Sequence, residues 1–448
     1  MAARKATQRT RNGGRRPSGT RATKGPGDRT FDPDAPYPPA VVVLSGGAPN
    51  GALTGGALAA IYRGGKTFST LYTSGAGALI GMLFKAPKGR DESGKPLRPD
   101  QALERLINFG IDDDLYRLFP VGYKTFFKGG PFTPLWIKAA QLVKISNPVL
   151  RGTRLFNDLV DFGFALTCPT TVNYLSKGLC AHPPFVENFV DFRELNRRDT
   201  PGQFYMNAYC VENGSMIEFS KKNSALTPRH LNASLSYPFI YAPTRIGNRH
   251  YFEGGCFDPL NLTALADHIE ANEILARTVV LVDILGPLKK SLVRVPRNLW
   301  DAYGISIMMP IVALAEKNEE LFRRRINRIN RTRPPRWKIR IVEINFEIEP
   351  AHGPYLTDWS RGNLEKCFQI GLDAGNKFLA GNVTDLPDHD RDTSEPVPTP
   401  WVHKDVQEPA GLLDDLDDAL DAVRTSVLNN APIPANLKPL LQQWLQNA

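Results

Sequence analysis

An α/β fold, with a mostly parallel sheet covered by helices on both faces, follows from three features of this 448-residue chain. Two runs, "VVVL" at 41–44 and "TVVLVDIL" at 278–285, are apolar without alternation, as strands buried on both faces are. Strand-like and helix-like segments alternate between them. Two stretches, Val41 to Tyr62 and Thr67 to Phe84, lack charge for about the length of a membrane span. Glycine pairs and polar turn residues interrupt both, so they read as strand, loop and buried helix rather than transmembrane helices.

The chain opens on a basic segment. Residues 1–29 hold nine Lys/Arg against one Asp and almost no apolar side chains, so residues 1–35 are expected to form a disordered tail drawn to anionic surfaces by charge. No apolar run of signal-peptide type follows. The five scattered cysteines (Cys168, Cys180, Cys210, Cys256, Cys367) show no C-x-x-C spacing, which points to reduced thiols in a cytoplasmic protein. The strand at 41–44 runs into the glycine-rich "SGGAPNGALTGG", after which "ALAAIY" is helical. A strand ending in Ser45-Gly46-Gly47 before a helix presents backbone N–H groups at a positive helix end, suited to a phosphate or a developing oxyanion. The lysine and spacing of a P-loop are missing, as is the acidic ribose partner of a dinucleotide site.

"FSTLYTSGAGALIG" (68–81) then reads as strand, sharp turn and buried helix, the form of an elbow that holds a nucleophilic serine in G-x-S-x-G. Gly75 stands where the serine belongs. Residues 101–118 and 152–168 have helical apolar spacing, and the aromatic, proline-rich connection between them is loop-like and able to cover a site. "FYMNAYCVENGSMIEF" is a hairpin turning at Asn213-Gly214. An extended run next delivers Glu253 onto Gly254-Gly255, and Asp258 with Pro259 is expected to cap and begin a helix. "WKIRIVEINFEI" (337–348) is a further strand. Residues 382–448, with four Lys/Arg against twelve acids, form an acidic tail whose Leu412, Leu413, Leu416, Leu420 and Val423 share one stripe of an amphipathic helix.

Glycine loop, elbow and late acid-Gly-Gly, quoted as "LSGGAPNGALTGGAL", "LYTSGAGALIG" and "YFEGGCFDPLNL", together resemble the patatin-like phospholipase family. The resemblance covers roughly 41–285 within a domain of residues 36–381. It implies a three-layer α/β/α sandwich that hydrolyses lipid acyl esters with a Ser-Asp dyad. Carried over by position, Gly75 stands at the nucleophile and Glu253 at the acid; Gly46, Gly47 and Ala48 form the oxyanion loop, with Asn50 at its basic position. Glycine cannot attack a carbonyl, and glutamate reaches about 1.5 Å further than aspartate, beyond catalytic tolerance. The two changes fit each other, because removing the serine side chain opens the space a longer carboxylate needs.

The expectation is a protein that binds lipid or acyl esters with serine-dependent hydrolysis weak or lost. The alternatives are an active hydrolase using Ser74 or a water activated by Glu253, and an adaptor working through its tails. Ser74, next to the elbow position, and Cys256 are more simply a locally bonded hydroxyl and a buried thiol. His230 and His250 are surface or hydrogen-bonded residues in the same reading. Glu253, partly desolvated, should titrate high unless loop amides stabilise its charge. No metal or cofactor is expected, since the seven histidines occur singly. Nucleic acid is not an expected partner. Peripheral contact with an anionic membrane is expected through 303–340, where an apolar stretch interrupted by Pro310 precedes nine Arg/Lys, and through the N-terminal tail.

Overall fold

The computed structural model describes residues 40–385 except 48–49, 67, 69, 92, 121, 131, 147–152, 183–185, 198–201, 286–294, 296–298, 349–357 and 382–383. Both tail readings and Ala48 lie outside the described residues.

The chain alternates as its pattern requires. β1 (Val41–Leu44) leads into α1 (Gly51–Arg63), and β2 (Thr70–Thr73) into α2 (Ala76–Lys85). Then come α3 (Pro99–Glu104), α4 (Asp113–Leu118), β3 (Phe127–Lys128), α5 (Thr133–Ser146), α6 (Arg154–Thr167) and β4 (Gly178–Ala181). Two single-turn helices, α7 (Val186–Phe189) and α8 (Phe192–Leu195), precede the hairpin of β5 (Gln203–Cys210) and β6 (Ser215–Ser220). α9 (Pro228–Ser234), β7 (Phe239–Tyr241), β8 (Thr244–Ile246) and β9 (Arg249–Glu253) follow. The described chain ends with α10 (Leu262–Glu270), β10 (Thr278–Val282), α11 (Leu299–Thr332), β11 (Arg340–Glu343), α12 (Arg361–Leu379) and β12 (Thr384–Asp385).

Among the described residues the main sheet runs β12-β11-β10-β1-β2-β5-β9-β8, with β6 beside β5. The five strands β11 to β5 are parallel, and the antiparallel ones lie toward the edges. β1 shows why its sequence is unbroken by polar residues. Val42 and Leu44 pack into one core with α1, α2 and α12, whereas Val41 and Val43 face a second core with α10 and α11. A separate small sheet pairs β3, β4 and β7.

The glycines of "GALTGG" are helical, not loop, and α1 begins six residues before the expected "ALAAIY". They serve close packing instead. A Cβ on Gly56 would overlap the Phe368 carbonyl of α12, and one on Gly371 would overlap that of Leu53. Bare backbone on both helices lets them cross at short range. The expected helix over 101–118 is broken: α3 passes into a 3-10 turn, Arg105–Phe109, and restarts at α4. At the break a Cβ on Gly110 would lie 2.6 Å from Arg361 Cα, and Ile111 exchanges backbone hydrogen bonds with Trp359 and Arg361 (2.8 and 2.7 Å). The strands at 278–285 and 337–348 are also shorter than their apolar runs. β10 stops where the Asp283 carboxylate accepts a bond from the Leu285 amide (2.8 Å), and residues 335–337 form a 3-10 turn before β11. Asp258 does cap a helix, accepting from the amides of Leu262 and Thr263 (3.1 and 3.0 Å), but Pro259 stays outside it and α10 starts at Leu262.

Candidate active-site cleft

Sheet register alone brings the three motifs level. Leu44 pairs with Thr73 and Thr73 with Met206, so two residues further on Gly46, Gly75 and Ala208 stand side by side. Ala208 pairs with Glu253 at the end of antiparallel β9. The glycine loop, the elbow and the acid therefore meet just beyond the C-terminal ends of β1, β2 and β9, next to the N-terminus of α2.

The elbow keeps the backbone of a nucleophile turn. Gly75 has φ 51° and ψ −130°, a conformation that costs a residue with a side chain about 1–3 kcal/mol. A Cβ built there would overlap Glu253 Oε1 and lie 3.1 Å from the Glu253 carboxyl carbon. The carboxyl thus occupies the volume that any side chain at position 75 would need. No hydrogen bond or ion pair reaches that carboxyl among the described residues, and burial pushes its pKa up to about 8.

The loop around it is tied down. The Ser45 hydroxyl accepts from the Ile284 amide (3.1 Å), and the Ser74 amide donates to the Leu44 carbonyl (3.2 Å). The Gly46 amide, one of the expected oxyanion donors, already donates to the Pro259 carbonyl (3.3 Å). Gly47, at φ 133°, packs against Ile284. Ser74 is fully buried, and its hydroxyl, expected to bond local backbone, has no hydrogen-bond partner among the described residues. It lies behind Gly255, where a Cβ would be 3.2 Å from Ser74 Oγ and 3.0 Å from Glu253 Oε1. Burial raises the Cys256 thiol to about 12, so it stays protonated. Asn50 is buried without a partner for its side-chain amide among the described residues.

Glu253 and Gly46 open into a cavity of about 450 Å³. Its walls are apolar: Leu79 and Ile80 from α2, Phe126 from the aromatic connection, Tyr241 from β7, Ile307 from α11, and Trp359. Glu253 is the only carboxylate in that lining. A polar network that the sequence did not signal reaches the cavity through His182. His182 stacks on Tyr241 (4.3 Å between rings), and its Nε2 lies 2.9 Å from the Ser236 hydroxyl. That hydroxyl donates to the Asn232 carbonyl, and the Ser236 carbonyl accepts from the Glu253 amide (2.9 Å). Burial lowers His182 to about 4, leaving it neutral. His182 lies in a stretch, "LCAHPPF", without a spacing pattern, and only the fold delivers it. His230 instead accepts from the Thr227 amide and His250 pairs with Glu212; neither lines the cavity.

Part of the segment expected at the membrane is engaged within the protein. Ile305, Val312, Ala315, Phe322 and Ile326 of α11 are core residues. Arg323 pairs with Glu319, Arg324 with Glu320, and Arg325 with Asp267 and Glu270, while Arg333 is buried. No described helix is long and apolar enough to cross a membrane.

Among solved structures, VipD from Legionella pneumophila is similar at 13% identity and a TM-score of 0.34, covering 91% of this chain and 80% of that one. A search of curated proteins found no match. The family model described as patatin-like phospholipase matches residues 42–266, half of the chain and all three motifs. The chain belongs to the patatin-like phospholipase family.

Proposed function

We propose that this protein binds an acyl lipid in the apolar cavity and has lost the serine-dependent hydrolysis of its fold. The observation that carries the reading is the Glu253 carboxyl in the volume a nucleophile's side chain needs. Three further features support it. Gly75 offers no attacking atom, Ser74 is buried away from the cavity, and the Gly46 amide is spent on Pro259. The cavity itself is intact, and its volume falls in the range of small-molecule sites, roughly 300–1,000 Å³. A tail-based adaptor has no need of such a space.

The competing chemistry is a water activated by Glu253. A carboxyl that holds its proton up to about pH 8 is a poor base at neutrality, so this reading requires turnover to rise with pH through that value. The deciding experiment pairs two measurements on the purified full chain. Binding of a fluorescent fatty-acyl ester should be saturable and abolished by Ile307→Trp, which fills the cavity. Nitrophenyl ester turnover and fluorophosphonate labelling should both be absent from pH 6 to 9. Labelling at Ser74, or hydrolysis that climbs with pH and disappears in Glu253→Gln, would establish a working enzyme instead.

A further inference from the structure

The apolar surface of the molecule is concentrated in one place. Thirteen of the nineteen exposed large hydrophobic side chains among the described residues lie between Leu118 and Leu179, around α5 and α6. On α5, Leu135 and Leu142 are 60% and 67% exposed, and seven residues apart they share one stripe. On α6, Leu155 and Leu159 repeat the arrangement at four residues, each about half exposed. Single exposed leucines are ordinary; a cluster on one helix pair and its flanking loops marks an interaction surface.

Its charge points to the partner. Among the residues of 118–179 whose side chains are described, five Lys/Arg stand against two Asp. Both acids are neutralised on the inner side, Asp158 by Lys124 and Arg361 (2.6 and 2.8 Å) and Asp161 by Lys144. Lys138 stands between Leu135 and Leu142 on the same stripe, exposed and without an ion pair among the described residues, placed to extend its head past the apolar layer. Lys177 is likewise exposed and unpaired beside Leu175, which is 75% exposed.

The surface is also continuous with the cavity. Leu179 is 40% exposed and lines the cavity, and Pro120, another lining residue, follows the exposed Leu118 and Phe119. We propose that the α5–α6 cap, Leu118 to Leu179, is the face with which the protein lies on an anionic lipid bilayer, with the leucines in the acyl boundary and the lysines at the headgroups. This is a different face from the expected contact through 303–340, where Ile305, Val312, Ala315, Phe322 and Ile326 are core residues and Arg323, Arg324 and Arg325 are ion-paired. The mode is interfacial: two short helices with one apolar stripe each lie in the headgroup plane and do not span.

The test uses the full chain and sedimentation with phosphatidylcholine vesicles, with and without phosphatidylserine. It is independent of cavity occupancy, so it stands or falls apart from the ligand assay. Wild type should bind the phosphatidylserine vesicles, more weakly as salt rises. Leu142→Glu with Leu159→Glu should lower binding by more than about tenfold, from lost burial and added repulsion, without changing the melting temperature. Lys138→Glu should weaken binding to phosphatidylserine vesicles specifically, and Arg323, Arg324 and Arg325→Glu should leave it unchanged if folded. Wild type that ignores vesicles, or leucine variants that bind as wild type does, would overturn the proposal. So would a full chain that sediments as a dimer, is split by the leucine substitutions and shows no vesicle affinity, because the cap would then be a contact between copies.

Discussion

Replacing Glu253 by glutamine isolates the energetic cost of a carboxyl in the nucleophile's place. Its folded pKa is about 8 against an ordinary 4.5, so the folded chain keeps a proton that the unfolded chain releases across that window. The native state binds more protons there, and stability must fall as pH rises. Below pH 4.5 both states are protonated and nothing is lost; from pH 4.5 to pH 8 the loss accumulates at about 1.4 kcal/mol per unit, and above pH 8 it is constant. The total is at most about 5 kcal/mol, a large fraction of the stability of a typical domain. Glutamine is neutral throughout and fills nearly the same volume, so the variant should lose this descent. Glu218 and Glu343, pushed up by burial to about 8 and about 7, add slopes of their own, but these are common to both proteins and cancel in the difference. Urea melts at intervals from pH 5 to pH 9 measure that difference directly. It should grow steadily in favour of Glu253→Gln up to pH 8 and then level. Parallel curves would mean that Glu253 ionises freely in the fold, and the account of a desolvated carboxyl would fail.

Gly75→Ser alone should destabilise the protein, because the new side chain meets both the strained φ and Glu253 Oε1, and it should remain unlabelled by a fluorophosphonate. Adding Glu253→Asp should recover part of that stability in urea melts and permit labelling; a stable single variant would show that the carboxyl moves aside easily. Asp158→Ala strands Lys124 and Arg361 without their buried partner and should cost about 3–5 kcal/mol, read as a fall in melting temperature. An unchanged melt would mean that water already screens this pair. In His182 the imidazole, lowered to about 4, should show no titration shift by NMR from pH 8 to 5. Because the unfolded histidine takes up its proton near pH 6.5, this group makes stability fall as pH drops from there toward 4. A titration midpoint near 6.5 would place His182 in solvent.

What the sequence made legible was what sits within a single motif. "VVVL", the turn after "TLYT" and the Glu253-Gly-Gly run each encode a strand and its exit, and register, with β5 standing between β2 and β9, then brings their ends together. Breaks imposed by distant contacts were not legible. Gly110 ends a helical pattern because Arg361, far along the chain, passes against it, and "GALTGG" is helical because α12 needs bare backbone to approach. Local propensity contains neither fact. The cavity escaped for the same reason: Phe126, His182, Ile307 and Trp359 come from four separate segments with no shared spacing. Arg325 of α11 read as part of a basic surface stripe because its partners, Asp267 and Glu270, lie on another helix.

The interlock of Gly75 with Glu253 has a consequence for the paths open to this sequence. Serine at 75 with glutamate at 253 forces two groups into one space, while glycine at 75 with aspartate at 253 leaves a hole and still no nucleophile. Each intermediate is worse than either end point, so the two positions form a ratchet. On this geometry a single substitution at either position is penalised, and a paired change avoids the penalty.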